Sequence, residues 1–159
     1  MENKQIFEFS KDKTDGDSSL NNLLGGKGAN LAEMSKMGIP VPPGFTITTE
    51  VCNYFTENKE LPVNLNQDIK KAVSKLETFS DKSFSGKGTP LLLSVRSGGR
   101  ISMPGMMDSI LNIGLNDNNV SHLAETFNDE RFALDSYRRL IQMYSNVVLG
   151  VEHDRFEAV

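Results

Sequence analysis

The chain has 159 residues, of which 38% are apolar and 24% are charged, and its formal net charge at pH 7 is −4. These values are typical of one ordinary globular domain, and the mild charge argues against a general nucleic-acid or membrane-surface binder. No segment reaches the ~18 apolar residues of a membrane span. The single cysteine, Cys52, excludes an internal disulfide framework and fits a reducing compartment. We therefore expect a cytoplasmic protein, with an organelle as the alternative location.

The first part of the chain predicts two strands and a helix. Residues 5–9 predict a short strand, and a helix is expected to start near Gly26 and run to Met37. Gly38 lies where a C-terminal glycine cap belongs. The proline-rich segment 39–48 predicts an extended run that leads into a second short strand.

Two helices are predicted next. Thr48 or Thr49 is placed to cap a helix over residues 50–58, in which Cys52 is expected to be a small core residue. Residues 64–79 have the pattern of an amphipathic helix with lysines on its polar face. The apolar residues at helical spacing are Ile69, Val73, Leu76 and Phe79.

The second half again mixes strands and helices. Residues 91–95 predict a buried strand and residues 110–115 a further strand, while Asp117 is a candidate cap for the helix that follows. A long helix is predicted near 129–149, and Gly150 would stop it. Its expected apolar side contains Ala133, Tyr137, Leu140, Ile141, Tyr144 and Val148. This layout indicates an α/β or mixed α+β fold.

The stretch LLGGKGAN, residues 23–30, is a candidate phosphate site. Glycines let backbone N–H groups approach a ligand, a helix N-terminus offers N–H donors and partial positive charge, and Lys27 adds a full charge. It is not a P-loop, because no Ser or Thr follows the lysine. The alternative is a glycine-rich turn into a helix with a solvated lysine.

The run SVRSGGRISMPGMMDS, residues 94–109, is a second candidate site. Arg96 lies just past a predicted strand, where ligands bind in open α/β sheets, and its guanidinium suits phosphate oxygens. Ser97, Gly98 and Gly99 allow close backbone approach. Methionines further along the run can adapt to an apolar surface such as an adenine face or a neighbouring domain. The alternative is that Arg96 forms a structural ion pair and the methionines fill the core.

Three segments carry a resemblance to a known family. NLLGGKGANLAEMSKMGIPVPPGFTITTEVC, LLLSVRSGGRISMPGMMDSILNIGLND and RFALDSYRRLIQMYSNVVLGV resemble, in this order, the N-terminal nucleotide-binding domain of the pyruvate, phosphate dikinases. The related phosphoenolpyruvate synthases share a looser version of the first two segments. The segments MPGMMD and SYRRLIQMY resemble the dikinases more than the synthases.

The resemblance implies a partial ATP-grasp fold with a mixed sheet and flanking helices. Residues 1–115 would form its first subdomain and residues 116–159 the start of the following helical subdomain. The family converts ATP, phosphate and pyruvate to AMP, pyrophosphate and phosphoenolpyruvate through a histidine on a separate domain. The chain is then expected to be an N-terminal piece, inactive alone, of an enzyme that is a homodimer in the full-length form.

The resemblance also implies roles for individual residues. Lys27 and Arg96 would contact the ATP phosphates, with Arg96 acting in the transfer step. The loop from Ser102 to Met107 would close over them, and the implied nucleotide-binding positions are Lys27, Arg96, Gly98, Gly99, Ser102, Met103, Gly105 and Met106. The Mg²⁺ ligands are expected in the part of the enzyme that this chain lacks.

Two other functions are kept open. The chain could be the N-terminal portion of a phosphoenolpyruvate synthase, or a stand-alone, non-catalytic module that holds a nucleotide and regulates a partner. A plain α/β domain without a ligand is the third interpretation.

Overall fold

The computed structural model describes residues 4–84, 86, 88–98, 109–152 and 154–157. Its elements in chain order are β1 (Ile6–Phe9), a 3₁₀ turn (Ser18–Leu20), α1 (Asn21–Lys36), β2 (Gly44–Ile47), α2 (Thr49–Asn58), α3 (Leu65–Ser80), β3 (Leu93–Arg96), β4 (Ser109–Ile113), α4 (Val120–Phe127), α5 (Glu130–Val147) and α6 (Asp154–Glu157). The described residues divide into two compact units, one of residues 4–79 with Gly98, the other of residues 80–97 and 109–157. No described helix is both long and apolar enough to cross a membrane.

The first unit is built on an antiparallel strand pair. β1 lies beside β2, with Ile6 opposite Ile47 and Phe9 opposite Gly44. Helix α1 contacts both strands and also α2. The core of this unit contains a cluster of the buried residues Ile6, Val51, Leu65 and Ala72, with Phe45 and Ile69 packed against it.

Helix α1 ends as the sequence predicts. Gly38 has a φ of +78°, a conformation that favours glycine. Its N–H donates to the carbonyl oxygen of Ser35 at 3.1 Å, and the N–H of Ile39 donates to that of Met34 at 3.0 Å. These two bonds form a Schellman motif, which satisfies carbonyl groups at the helix end.

Helices α2 and α3 occur where they are predicted, but some side chains that are predicted to be buried are exposed. Leu76 is buried as expected, whereas Phe79 is 47% exposed. Cys52 is exposed, so its prediction as a core residue is wrong. Val51 is the buried residue of α2, and each helical residue is rotated by about 100° from the one before it, so Cys52 lies beside the face that meets the core rather than on it.

The second unit is built on the antiparallel pair of β3 and β4. Arg96 lies opposite Ser109, and the register shifts between Leu93 and Val95. Helix α5 packs on β4 and on α4. The core contains Leu115, Leu123 and Ala133, with the partly buried Tyr137 and Leu140 against it.

The expected mixed sheet differs from the observed arrangement. Over the described residues the four strands form two separate antiparallel pairs. The strand predicted at 91–95 is buried at Leu91, but Val95 is 53% exposed.

The predicted cap of α4 is also wrong. Asn119, which is 2% exposed, occupies the N-cap position instead of Asp117. The side-chain oxygen of Asn119 accepts from the N–H of Asn116 at 2.8 Å, and its amide donates to the carbonyl of Gly114 at 2.8 Å. Asp117 instead accepts a 2.8 Å bond from the hydroxyl of Tyr137.

The start of α5 matches its prediction, but its apolar side is only partly buried. The Asp129 carboxylate caps the helix by accepting from the N–H of Phe132 at 2.9 Å. Ala133 is fully buried, whereas Ile141, Tyr144 and Val148 are 46%, 46% and 50% exposed.

Candidate functional site

The glycine-rich start of α1 contains a break in the helix. Gly25 has φ 68° and ψ 163°, so it is not helical. This region of conformational space is open essentially to glycine alone. The break separates a first turn, residues 21–24, from the main helix that begins at Gly26. The sequence prediction of a helix start near Gly26 is therefore confirmed.

The break places an N-terminus where the candidate phosphate site was predicted. The first N–H groups of a helical segment have no acceptor inside it, and they carry the positive end of the helix dipole. Here those groups belong to Gly26, Lys27 and Gly28. Lys27 is partly buried. An anionic ligand at this point would meet backbone donors and an ammonium group from one short segment.

The three glycines of GGKG have different roles. Gly25 allows the break. Gly28 is buried against β2, where a Cβ atom would lie 2.7 Å from Cγ2 of Thr46. Gly26 has room, since the nearest atom to its Cβ position is the side-chain oxygen of Asn21 at 3.7 Å. Two of the three glycines thus serve the fold itself, and Gly26 is the one at which a Cβ atom would make only an ordinary contact.

The turn that precedes the break is bonded to α2. Thr49 is the first residue of α2, and its hydroxyl donates to the carbonyl oxygen of Asn22 at 2.7 Å. The sequence predicts Thr49 only as a candidate cap and does not indicate this bond. Its acceptor is a backbone atom 27 residues away, which no local pattern indicates. Thr48 is the N-cap residue, but its hydroxyl makes no cap bond within the described residues.

Arg96 is the last residue of β3 rather than the first residue after it. It is exposed, as are Ser97 and Gly98. A Cβ atom at Gly98 would meet no described atom within 4 Å. The end of β3 therefore presents an exposed guanidinium, which suits recognition of phosphate oxygens.

The structure describes three of the predicted site residues. Lys27 and Gly98 belong to the first unit and Arg96 to the second. The remaining predicted positions lie outside the described residues; they are Gly99, Ser102, Met103, Gly105 and Met106. Within the described ranges, no group of three or more His, Cys, Asp or Glu side chains could hold a metal ion.

Part of the chain matches a known family model. Residues 21–83 match the family model described as the AMP/ATP-binding domain of pyruvate phosphate dikinase. The matched segment contains the whole of α1, with the break at Gly25 and with Lys27, and it ends before Arg96.

Individual relatives extend the similarity over both candidate sites. The chain is 52% identical over 157 residues to the pyruvate, phosphate dikinase of Rickettsia conorii, covering 98% of this chain and 18% of that protein. It is 49% identical over 157 residues to the pyruvate, phosphate dikinase of Clostridium symbiosum, covering 98% and 18%. It is 48% identical over 154 residues to pyruvate, phosphate dikinase 2 of Oryza sativa, covering 97% and 17%.

The resemblance found in the sequence is therefore confirmed. The chain is similar to pyruvate, phosphate dikinases over nearly its whole length, and it carries a segment that matches their AMP/ATP-binding domain. It spans less than a fifth of the length of these curated relatives.

Proposed function

We propose that this chain is the N-terminal, ATP-binding portion of a pyruvate, phosphate dikinase. The observation that carries the proposal is the helix break at Gly25, which creates a helix start beside Lys27 inside the segment that matches an AMP/ATP-binding domain. The relatives' names favour a dikinase over a phosphoenolpyruvate synthase or a stand-alone module.

The proposed chemistry at Lys27 is phosphate binding. The N–H groups at the start of the main α1 helix donate to phosphate oxygens, and the ammonium group of Lys27 balances their charge. Phosphoryl transfer is catalysed mainly by positioning and charge stabilisation, which are the contributions such groups make.

The proposed role of Arg96 is to bind phosphate oxygens at the end of β3. A guanidinium can hold two oxygens at once and stabilise charge that develops during transfer. The predicted loop residues Gly98, Gly99, Ser102, Met103, Gly105 and Met106 are proposed to lie beside the nucleotide.

The wider parts of the proposal follow from the resemblance. The fold would be part of an ATP-grasp domain, with its first subdomain in residues 1–115 and a helical subdomain from 116–159. The phosphoryl group would pass to a histidine on another domain of a homodimeric cytoplasmic enzyme, which converts ATP, phosphate and pyruvate to AMP, pyrophosphate and phosphoenolpyruvate. As the resemblance implies, the Mg²⁺ ligands are proposed to lie in other parts of a dikinase.

Calorimetric titration with ATP and Mg²⁺ tests the proposal. The chain should bind ATP, and Lys27→Ala and Arg96→Ala should each weaken binding by about 10- to 100-fold, the usual effect of losing a hydrogen bond to a charged group. Lys71→Ala and Arg139→Ala are matched controls, because both side chains are exposed and already paired, with Asp68 and Asp135. Equal affinity in all five proteins, or no binding by the unmodified chain, would contradict the proposed function.

A further inference from the structure

The β2–α2 corner, residues 44–49, contacts the glycine-rich segment on both sides of Lys27. Before Lys27, the Thr49 hydroxyl donates to the carbonyl oxygen of Asn22 at 2.7 Å. After Lys27, Gly28 lies against the side chain of Thr46. Both contacts are made within the first unit.

The two contacts constrain different degrees of freedom. Close packing of Gly28 on Thr46 sets the distance between the main helix and β2, since a side chain at residue 28 would not fit. The Thr49 bond acts on the turn before the break, residues 21–24. At the break itself, Gly25 has no side chain to limit rotation, so the orientation of the turn depends on contacts from outside α1.

We infer that Thr49 is a positioning residue for the phosphate site at the start of the main α1 helix, an inference that rests on the proposed function. Its hydroxyl fixes the position of the turn through the bond to Asn22. The position of the turn sets the direction in which the backbone enters Gly26 and Lys27. Hydrogen bonds from N–H groups to oxygen weaken steeply outside about 2.7–3.2 Å, so a small displacement of this backbone lowers affinity for phosphate.

The variants Thr49→Val and Thr49→Ser separate the hydroxyl from the shape of the side chain. Valine keeps the branched shape and removes the donor, while serine restores the donor. Thr56→Val is the matched control, because Thr56 is in the same helix and its hydroxyl donates to the carbonyl of Cys52 at 2.9 Å, inside α2.

Two measurements are made on the full chain and each variant. Without nucleotide, amide hydrogen exchange over residues 21–28 should become about 5-fold faster in Thr49→Val, the effect of losing one ordinary hydrogen bond. Calorimetry with ATP and Mg²⁺ should show about 5-fold weaker binding in the same variant. Thr49→Ser and Thr56→Val should match the unmodified chain in both measurements.

The outcomes distinguish this inference from the proposed function. Unchanged exchange over residues 21–28 in Thr49→Val overturns the inference, whatever the affinity for ATP. Faster exchange with unchanged ATP affinity also overturns it, while leaving the ATP site in place. An unmodified chain that binds no ATP overturns the proposed function, and the exchange result alone then decides whether Thr49 holds the turn.

Discussion

Gly28 of α1 and Thr46 of β2 are in direct contact, with no space for a side chain between them. A Cβ atom at residue 28 would lie 2.7 Å from Cγ2 and 2.8 Å from Oγ1 of Thr46. Real Cβ atoms do not approach other heavy atoms this closely, and a branched strand side chain has little freedom to move aside. Glycine at this position therefore sets how closely α1 packs on the β1–β2 pair.

Replacing Gly28 by alanine should destabilise the first unit. Gly28→Ala forces α1 and β2 apart, and we expect the free energy of unfolding in urea to fall by about 1–3 kcal/mol. Gly26→Ala is the control, because its Cβ would meet the Asn21 side chain at an ordinary 3.7 Å. Alanine favours helix, so Gly26→Ala should be unchanged or up to about 1 kcal/mol more stable. Equal losses in the two variants would contradict the packing argument.

Replacing Gly25 by alanine should remove the helix break at a cost in both stability and binding. At φ 68° and ψ 163° alanine is strained by about 1–3 kcal/mol, which urea unfolding would detect. Relief of the strain moves the start of the main helix, so ATP affinity should fall as well.

The variant Gly38→Ala shows whether the loss of ATP affinity in Gly25→Ala comes from the moved helix start or from lower stability. Gly38 also has a positive φ, of +78°, but it lies at the other end of α1. Its replacement should lower stability by about 1–2 kcal/mol and leave ATP affinity in the folded chain unchanged. If both variants lost ATP affinity equally, the effect at Gly25 would be one of general stability.

Asn119 should be essential for the stability of the second unit. Asn119→Ala leaves the N–H of Asn116 without its side-chain acceptor, and the carbonyl of Gly114 keeps only the 3.4 Å bond from the Asn116 amide. A polar group that loses its partner away from water costs about 1–3 kcal/mol. We expect a loss of that size or larger in urea unfolding. Asn118→Ala is the control, because Asn118 is exposed and participates in this turn through its backbone N–H. A loss of less than 0.5 kcal/mol (roughly the scatter of surface substitutions) in Asn119→Ala would contradict the prediction.

The Asp17 carboxyl should titrate near pH 2. Hydrogen bonds from the Ser19 side chain, followed by those from Lys36 and the Ser19 backbone, lower the pKa of Asp17 from 3.8 to about 2. A pKa that is lower in the folded chain contributes stability above pH 3.8, and this contribution is lost as the pH falls from 3.8 towards 2. Carboxyl chemical shifts followed by NMR through this range give the midpoint directly.

Ser19→Ala should raise the pKa of Asp17 towards its ordinary value, because the largest cause of the shift is removed. Asp135 serves as the internal reference. Hydrogen bonding and charge from Arg138 and Arg139 lower the pKa of Asp135, and Ser19 takes no part. A midpoint for Asp17 that stays near 2 in Ser19→Ala would show that Lys36 and the backbone N–H of residue 19 together account for the shift.

Local signals in the sequence predict the helices and their ends well. Gly38 acts where the sequence places it, because a glycine cap depends on residues within one turn of the helix end. The break at Gly25 also follows from a local glycine signal, and with it the position of Lys27.

Relationships between distant residues were not predictable from these patterns. The Thr49–Asn22 bond and the Gly28–Thr46 contact depend on how α1 meets the β2–α2 corner. Asp117 and Asn119 are both residue types that favour the N-cap position, so local preference does not distinguish them. The bond from the Asn119 amide to the carbonyl of Gly114 depends on the fold of the whole turn. Exposure of Val95 depends on what covers its face of the β3–β4 pair, which hydrophobicity along a single strand does not specify.

The connection from α1 to β2 reduces the entropy that the unfolded chain must lose. After Gly38 the connection contains Pro40, Pro42 and Pro43, whose rings fix their φ angles in the unfolded chain as well as in the folded one. Much of the path between helix and strand is therefore restricted before any contact forms. A flexible linker of the same length would leave every contact of α1 with β2 unchanged, yet it would make their meeting less probable.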